Sequence, residues 1–365
     1  MTNKQAAKFG SYHPQDVVFL LKDLSHISIE KETTEREKAI QSGVHYSEML
    51  PVEYKPSSQY LDVFHQSLEK YKQRVAEAAG VVAERMLQKK GKNLVLVSLA
   101  RAGTPIGILI KRYIAYRYGD DLPHYSISII RDRGIDTNAL RYIREKHPKS
   151  HIQFIDGWTG KGAITNELTK ACRQLKEQEK IILDDELAVL ADPGYCSSLY
   201  GTREDFLIPS AALNSTVSGL VSRTILNDNY IHEGDFHGAK YYNELQNEDV
   251  SNYYIETISK QFQHVGERVH DRLISDSVTE PDWSGMETIR AIQADFEIDN
   301  YHFIKPGVGE TTRVLLRRVP WKVLVKRMDN PDLEHILILA NERGVQVEQY
   351  EQMTYECCGL IKPMG

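Results

Sequence analysis

The stretch from Ile152 to Thr165, Ile-Gln-Phe-Ile-Asp-Gly-Trp-Thr-Gly-Lys-Gly-Ala-Ile-Thr, constrains the fold more than any other part of the chain. A short, mostly apolar run ends in Asp156, a glycine-rich turn follows, and Ile164, Leu168, Cys172 and Leu175 then recur at helical spacing. The order is strand, turn, helix. It recurs at Leu94 to Leu99, where the turn Ala100-Arg101-Ala102-Gly103-Thr104-Pro105 leads into an apolar helix from Ile106 to Tyr118. Continuous apolar runs of strand length belong to strands buried on both faces, as in a parallel sheet flanked by helices. His124 to Arg131 and Leu187 to Ala191 add two strands, so an α/β unit is expected, with ligands at the carboxyl ends of its strands.

The turns carry the chemistry. Thr159, Gly160, Lys161 and Gly162, leading into Ala163, gather unpaired backbone N–H groups and the positive end of a helix dipole at one point, which suits a phosphate. Asp156 at the strand end suits sugar hydroxyls or a cation beside it, and Lys161 reads equally well as a solvated loop lysine. A Walker A loop is excluded, because Gly-Lys-Gly lacks the four-residue gap and the Ser or Thr after Lys. Ala100 to Gly103 is a second small-residue turn, and the charged segment Arg131 to Asn138 reads as a lid. All three lie on one edge of the expected sheet.

Residues 1–60 read as an irregular capping segment, with the run Val17 to Leu21 suited to a buried helix turn and Glu30 to Lys38 solvated. From Tyr60 to Lys90, apolar residues at three- and four-residue spacing predict a long helix, closed by Gly91. Thr202 to Asn227 suits a polar, closely packed pocket wall. The main unit is expected over 61–275, a linker over 276–300 and a small terminal α/β unit over 301–365. Between Arg313 and Arg327 stand six basic residues and no acidic one. Gly309, Glu310, Thr311 and Arg313 at a helix start, with Arg317, Arg318 and Lys322 on phosphates, make this unit a candidate RNA face.

Charge and cysteine usage narrow the class. The 365 residues carry a formal charge of −6, so a polyanion site has to be a local patch. Met1 to Gly10 lacks an apolar signal core and no run is long enough to span a membrane, so a cytoplasmic protein is expected. Cys172, Cys196, Cys357 and Cys358 contain no CxxC pair, which argues against a zinc knuckle. Cys196 follows a strand end, with His232 and His237 downstream and Asp192 and Asp235 near, so a Cys196–His237 nucleophilic pair is an alternative function.

Leu99 to Thr104, Arg131 to Leu140 and Phe154 to Gly162 together resemble the pyrophosphate loop, hood and ribose-phosphate loop of type I phosphoribosyltransferases. The usual adjacent acidic pair is here reduced to Asp156. More narrowly, Gly134-Ile135-Asp136, Asp192-Pro193-Gly194-Tyr195-Cys196 and Leu213 to Thr224 resemble the phosphoribosyltransferase-like family of tellurium-resistance and stress operons, also labelled StiP-type cysteine protease, whose members end in a pelota-type RNA-binding domain. That resemblance implies a pentosyltransferase acting on phosphoribosyl pyrophosphate or a related ribose phosphate, with Mg²⁺ carried by the substrate. It implies Ala100, Arg101, Ala102 and Gly103 on pyrophosphate, and Thr159 to Ala163 on the 5-phosphate. Asp156, Arg101, Arg131 and Arg133 would serve catalysis, structured RNA the terminal domain, and a homodimer is a possible assembly.

Overall fold

The computed structural model describes residues 9–276 and 279–361. Its centre is a sheet of β1 (Val18–Phe19), β2 (Leu94–Ala100), β3 (His124–Ile130), β4 (His151–Trp158), β5 (Leu187–Ala191) and β6 (Leu199–Thr202), in the order β1-β3-β2-β4-β5-β6. Every junction along that path is parallel. The period-2 alternation of each strand sorts its side chains between two cores. Leu94 and Leu96 join the core under α1 (Ser58–Lys90) and α2 (Gly103–Tyr118), whereas Val95, Val97 and Leu99 join the core under α3 (Thr137–Lys146) and α4 (Ala163–Glu179). Helices therefore cover both faces, which is why the strands read as unbroken apolar runs. Helices α5 (Ser251–Ser259) and α6 (Phe262–Ser275) pack onto α1.

Several local expectations change. Val17 to Leu21 is extended chain around the edge strand β1 rather than a helix turn, because its residues alternate between the two cores, Val17, Phe19 and Leu21 in one and Val18 and Leu20 in the other. Glu30 to Lys38 contains a short helix, Thr33–Gln41. The expected lid is mostly structured: Gly134–Ile135 folds back antiparallel onto β3, and the Asp136 side chain accepts from the Ala139 N–H at 2.9 Å, capping α3. Asp136 is an N-cap rather than a loop carboxylate. Asp156 lies inside β4, two residues before its end. The segment with linker-like composition carries α7 (Ser284–Asp295).

The terminal unit contains β7 (Ile304–Pro306), α8 (Val308–Arg317), β8 (Pro320–Val325), α9 (Glu334–Glu342), β9 (Gln346–Gln349) and β10 (Cys357–Ile361). Its sheet order is β7-β10-β8-β9, with β8 and β9 parallel and β10 antiparallel to both its neighbours. Val308, Leu315 and Leu316 of α8 belong to the same buried cluster as Phe206, Ile208 and Ala211 of the main unit. The two units are thus joined by shared apolar burial. Among the described residues, no helix is long and apolar enough to cross a membrane.

The turn after β2 is held against β4 at Gly103. A Cβ there would collide with the Ile155 carbonyl oxygen and stand 3.0 Å from the Asp156 Cα. Gly103→Ala is therefore expected to lower stability by roughly 1–3 kcal/mol through overpacking. Urea unfolding checks this, and an unchanged midpoint contradicts the close approach.

Candidate functional site

Two adjoining cavities open at the carboxyl edge of the parallel sheet, one of about 600 Å³ and one of about 490 Å³. They share Asp156, Trp158, Ile164, Lys305 and Glu310, so they form one cleft. Lys305 and Glu310 come from the terminal unit, the others from the main one. The carboxyl ends of the strands are thus roofed by β7 and α8.

The first cavity is built on the glycine turn. Gly162 is left-handed, with φ of 71°, and stands at the N-cap of α4. A Cβ on it would clash with the Trp283 ring and lie 2.9 Å from the Cys196 sulfur, so only glycine fits. Gly160, Lys161, Gly162 and Ala163 all line this cavity, as does Arg131. The Lys161 ammonium donates to the Tyr301 carbonyl oxygen and lies 4.8 Å from that ring. Burial, reinforced by Lys305, pulls its pKa down to about 7. Asp156 is buried and accepts from the Gly157 N–H at 2.8 Å, and burial raises its pKa to about 7. Thr159 also lines this cavity, and its hydroxyl donates to Asp192.

The second cavity is lined by Ala100, Arg101 and Ala102 after β2 and by Arg223, Arg313, Arg317 and Arg318. Arg101 donates to the Val221 carbonyl oxygen at 3.1 Å. Arg313 donates to the Ala211 carbonyl oxygen at 2.9 Å and pairs with Glu310 at 3.1 Å, and its guanidinium stands 5.7 Å from the Trp158 ring. Arg317 donates to Asn214 and to the Ala212 carbonyl oxygen, and burial with Arg313 nearby pushes its pKa down to about 10. Like charges that depress one another's pKa in a partly desolvated space are the electrostatic mark of an anion site.

Other expected residues stand elsewhere. Arg133 pairs with Glu48 at 2.5 Å and lines neither cavity. Gly103 and Gly309 serve close packing, the latter against Ala211. Thr311 is buried and donates to the Lys305 carbonyl oxygen at 3.3 Å. Lys322 pairs with Glu348 at 2.5 Å beside Phe296, away from the cleft. Arg223, Lys305 and Trp283 were not singled out: Arg223 sits in irregular chain with no periodic signal, and Lys305 is recognisable only as a cation at a strand end. Among the described residues, no group of three His, Cys, Asp or Glu side chains is placed to hold a metal ion.

Cys196 lies against the glycine turn. Its sulfur contacts the Gly194 carbonyl oxygen at 3.2 Å and that of Gly160 at 3.8 Å, and its N–H donates to Asp192 at 2.9 Å. The Cys196–His237 pair is not formed, because the His237 ring bonds the Ser128 hydroxyl at 2.9 Å and the His237 backbone N–H donates to Asp136 at 2.6 Å. Burial, with Asp192 adding to it, pushes the Cys196 thiol up to about 12.

Residues 10–259 match the family model described as tellurite-like stress resistance cysteine protease StiP. The chain belongs to the StiP family. Residues 283–363 match the PELOTA RNA binding domain. A protein of Acinetobacter baylyi (strain ATCC 33305 / BD413 / ADP1) named cysteine protease StiP is 35% identical over 369 residues, spanning 98% of this chain and 94% of that relative. These names overturn the expected pentosyltransferase acting on phosphoribosyl pyrophosphate and agree with the alternative of a cysteine hydrolase. The physical reason for the misreading is that anion turns report a ligand's charge and not the bond that is broken, and the segment read as a mobile hood is largely a strand and a capped helix in this StiP-family fold.

The two groups with pKa near 7 act in the same direction on an anion. As pH rises through 7, Lys161 loses positive charge and Asp156 gains negative charge. Burial also lowers the pKa of His302 and of Lys305, so neither opposes that trend, and Arg131, Arg290, Glu287 and Glu310 complete the charged lining of this cavity. Sulfate, a dianion throughout, is therefore expected to bind roughly tenfold more weakly at pH 8.5 than at pH 6, a difference of about 1.4 kcal/mol. Calorimetric titration measures this, and a flat or rising affinity contradicts the assignment.

Proposed function

We propose that this StiP-family chain is a cysteine hydrolase whose nucleophile is Cys196, held latent in the conformation described here. The observation that carries the assignment is position. Among the described cysteines, Cys196 is the one whose sulfur lies against the glycine turn that walls the cleft, 3.8 Å from the Gly160 carbonyl oxygen and behind Gly162. Cys172, Cys357 and Cys358 are each buried in an apolar cluster. The names of the family and of its Acinetobacter member support thiol chemistry.

The thiolate is the nucleophile, so a thiol whose pKa lies near 12 is resting. Activation requires Trp283 or the Gly160 carbonyl to withdraw and a base to approach the sulfur. Thr159, Asp192 and Arg203 form a connected polar chain beside it, with Arg203 paired to Asp192 and Asp192 accepting the Thr159 hydroxyl. These are positioning residues: they fix the Asp192 turn from which Cys196 projects. Hydrolysis then proceeds by attack of the thiolate on a carbonyl carbon, departure of the leaving amine with a proton, and release of the acyl group by water.

Cleavage of a denatured protein substrate by the full chain is expected to be lost in Cys196→Ser and kept in Cys172→Ser, with both variants melting like the parent. Undiminished cleavage by Cys196→Ser contradicts the assignment. The resting state has its own test. A shift from 9.0 to about 12 lowers the thiolate fraction at pH 8 from about one in ten to about one in ten thousand. Iodoacetamide should label Cys196 in the folded chain far more slowly than in urea. Equal rates contradict the latent state.

A further inference from the structure

The basic helix of the terminal unit faces inward. Arg313 and Arg317 of α8 donate to Ala211, Ala212 and Asn214 of the main unit, across the cleft. Arg101 and Arg223 reach the same cavity from the opposite wall. Among the described residues, Arg223, Arg318 and Lys305 form no ion pair with a carboxylate, so three cations face one space without neutralisation. Among the described residues lining this cavity, the carboxylates are those of Asp156 and Glu310, and Glu310 is engaged with Arg313.

From these facts we infer that the joined cleft binds a single-stranded RNA segment, with one phosphate at the Gly160–Ala163 turn, another at the Arg101–Arg223–Arg317 cluster, and a base between them against Trp158. Three observations carry the strand. Two separate anion points lie on either side of a shared wall, which matches a ligand with repeated phosphates rather than a single one. Trp158 stands in that wall with a guanidinium over its ring, a platform of the kind on which unpaired bases stack. The match of residues 283–363 to an RNA-binding domain supplies the class of polymer. Joined cavities of about 600 and 490 Å³ suit a few unpaired nucleotides better than a duplex, whose bases are already stacked on one another. The site is interdomain, and Arg223 belongs to the half of the chain outside the RNA-binding match.

The test uses the full chain and fluorescence anisotropy with a short single-stranded oligoribonucleotide, the same strand annealed to its complement, and the mononucleotide as competitor. The single strand should bind roughly tenfold or more tightly than the duplex. Arg223→Gln and Arg317→Gln should each weaken it several-fold and reduce the salt slope by about one. Lys322→Gln, outside the cleft, should leave it unchanged. Duplex binding as tight as the single strand, or sensitivity to Lys322→Gln without sensitivity to Arg223→Gln, overturns the inference by moving RNA to the outer face. Full displacement by an equal concentration of mononucleotide overturns the strand and identifies a free nucleotide as the occupant. Because the assay reads binding and not cleavage, and Cys196 lines neither cavity, its outcome is separable from that of the hydrolase test.

Discussion

The carboxylate of Asp205 is the joint on which the cleft depends. It leaves the main unit just after β6 and accepts from the N–H of Val308, the first residue of α8, at 2.9 Å, and from the N–H of Glu356 at 2.9 Å. One side chain thereby fixes both the start of a helix and the approach to β10 in the other unit. A carboxylate at a helix N-terminus gains from the dipole, typically up to about 2 kcal/mol when partly buried. Burial outweighs that gain here, because the Asp205 pKa is raised to about 6. A carboxyl group with a raised folded pKa contributes stability when protonated and loses it as pH rises through 6, so this joint is placed for geometry rather than for net charge stabilisation.

That geometry explains why an acidic protein carries a basic cleft. The apolar face of α8, Val308, Leu315 and Leu316, packs beside Phe206 and Ile208, which turns the arginines between them toward the strand ends. Tyr355 from the terminal unit donates to the Gly160 carbonyl oxygen at 3.0 Å, so the glycine turn is held from both sides. The same carbonyl touches the Cys196 sulfur. Ligand seating at the turn and exposure of the thiol are consequently linked through one backbone group. A ligand that draws the turn toward its phosphate moves an atom that keeps Cys196 covered.

The legible part of this fold was the part governed by local chemistry. Apolar runs at Leu94–Ala100, His151–Trp158 and Leu187–Ala191 announced a buried parallel sheet, and helical spacing marked α1 and α4. The glycine turn marked a loop at a strand end through Gly160, Lys161 and Gly162, and those residues do line the cleft. What failed to show was set by tertiary contact. Strand β10 hides in the short run Cys357 to Ile361, a central strand buried on both faces whose cysteines and glycine carry little strand signal of their own. Arg223 is part of the site only because the irregular segment after β6 folds back beside β2, which no spacing encodes. Reaction type was the least legible feature, since Lys161 and Asp156 describe a charge and Cys196 acquires meaning only from its neighbours Gly162 and Trp283.

The central claim is that both units close over one ligand. Amide hydrogen exchange of the full chain, with and without a short single-stranded oligoribonucleotide, tests it most directly. The account predicts new protection in three places at once: residues 159–164, residues 211–224 and α8. Protection confined to β8 and β9 on the outer side of the terminal sheet, with the glycine turn unchanged, would contradict it.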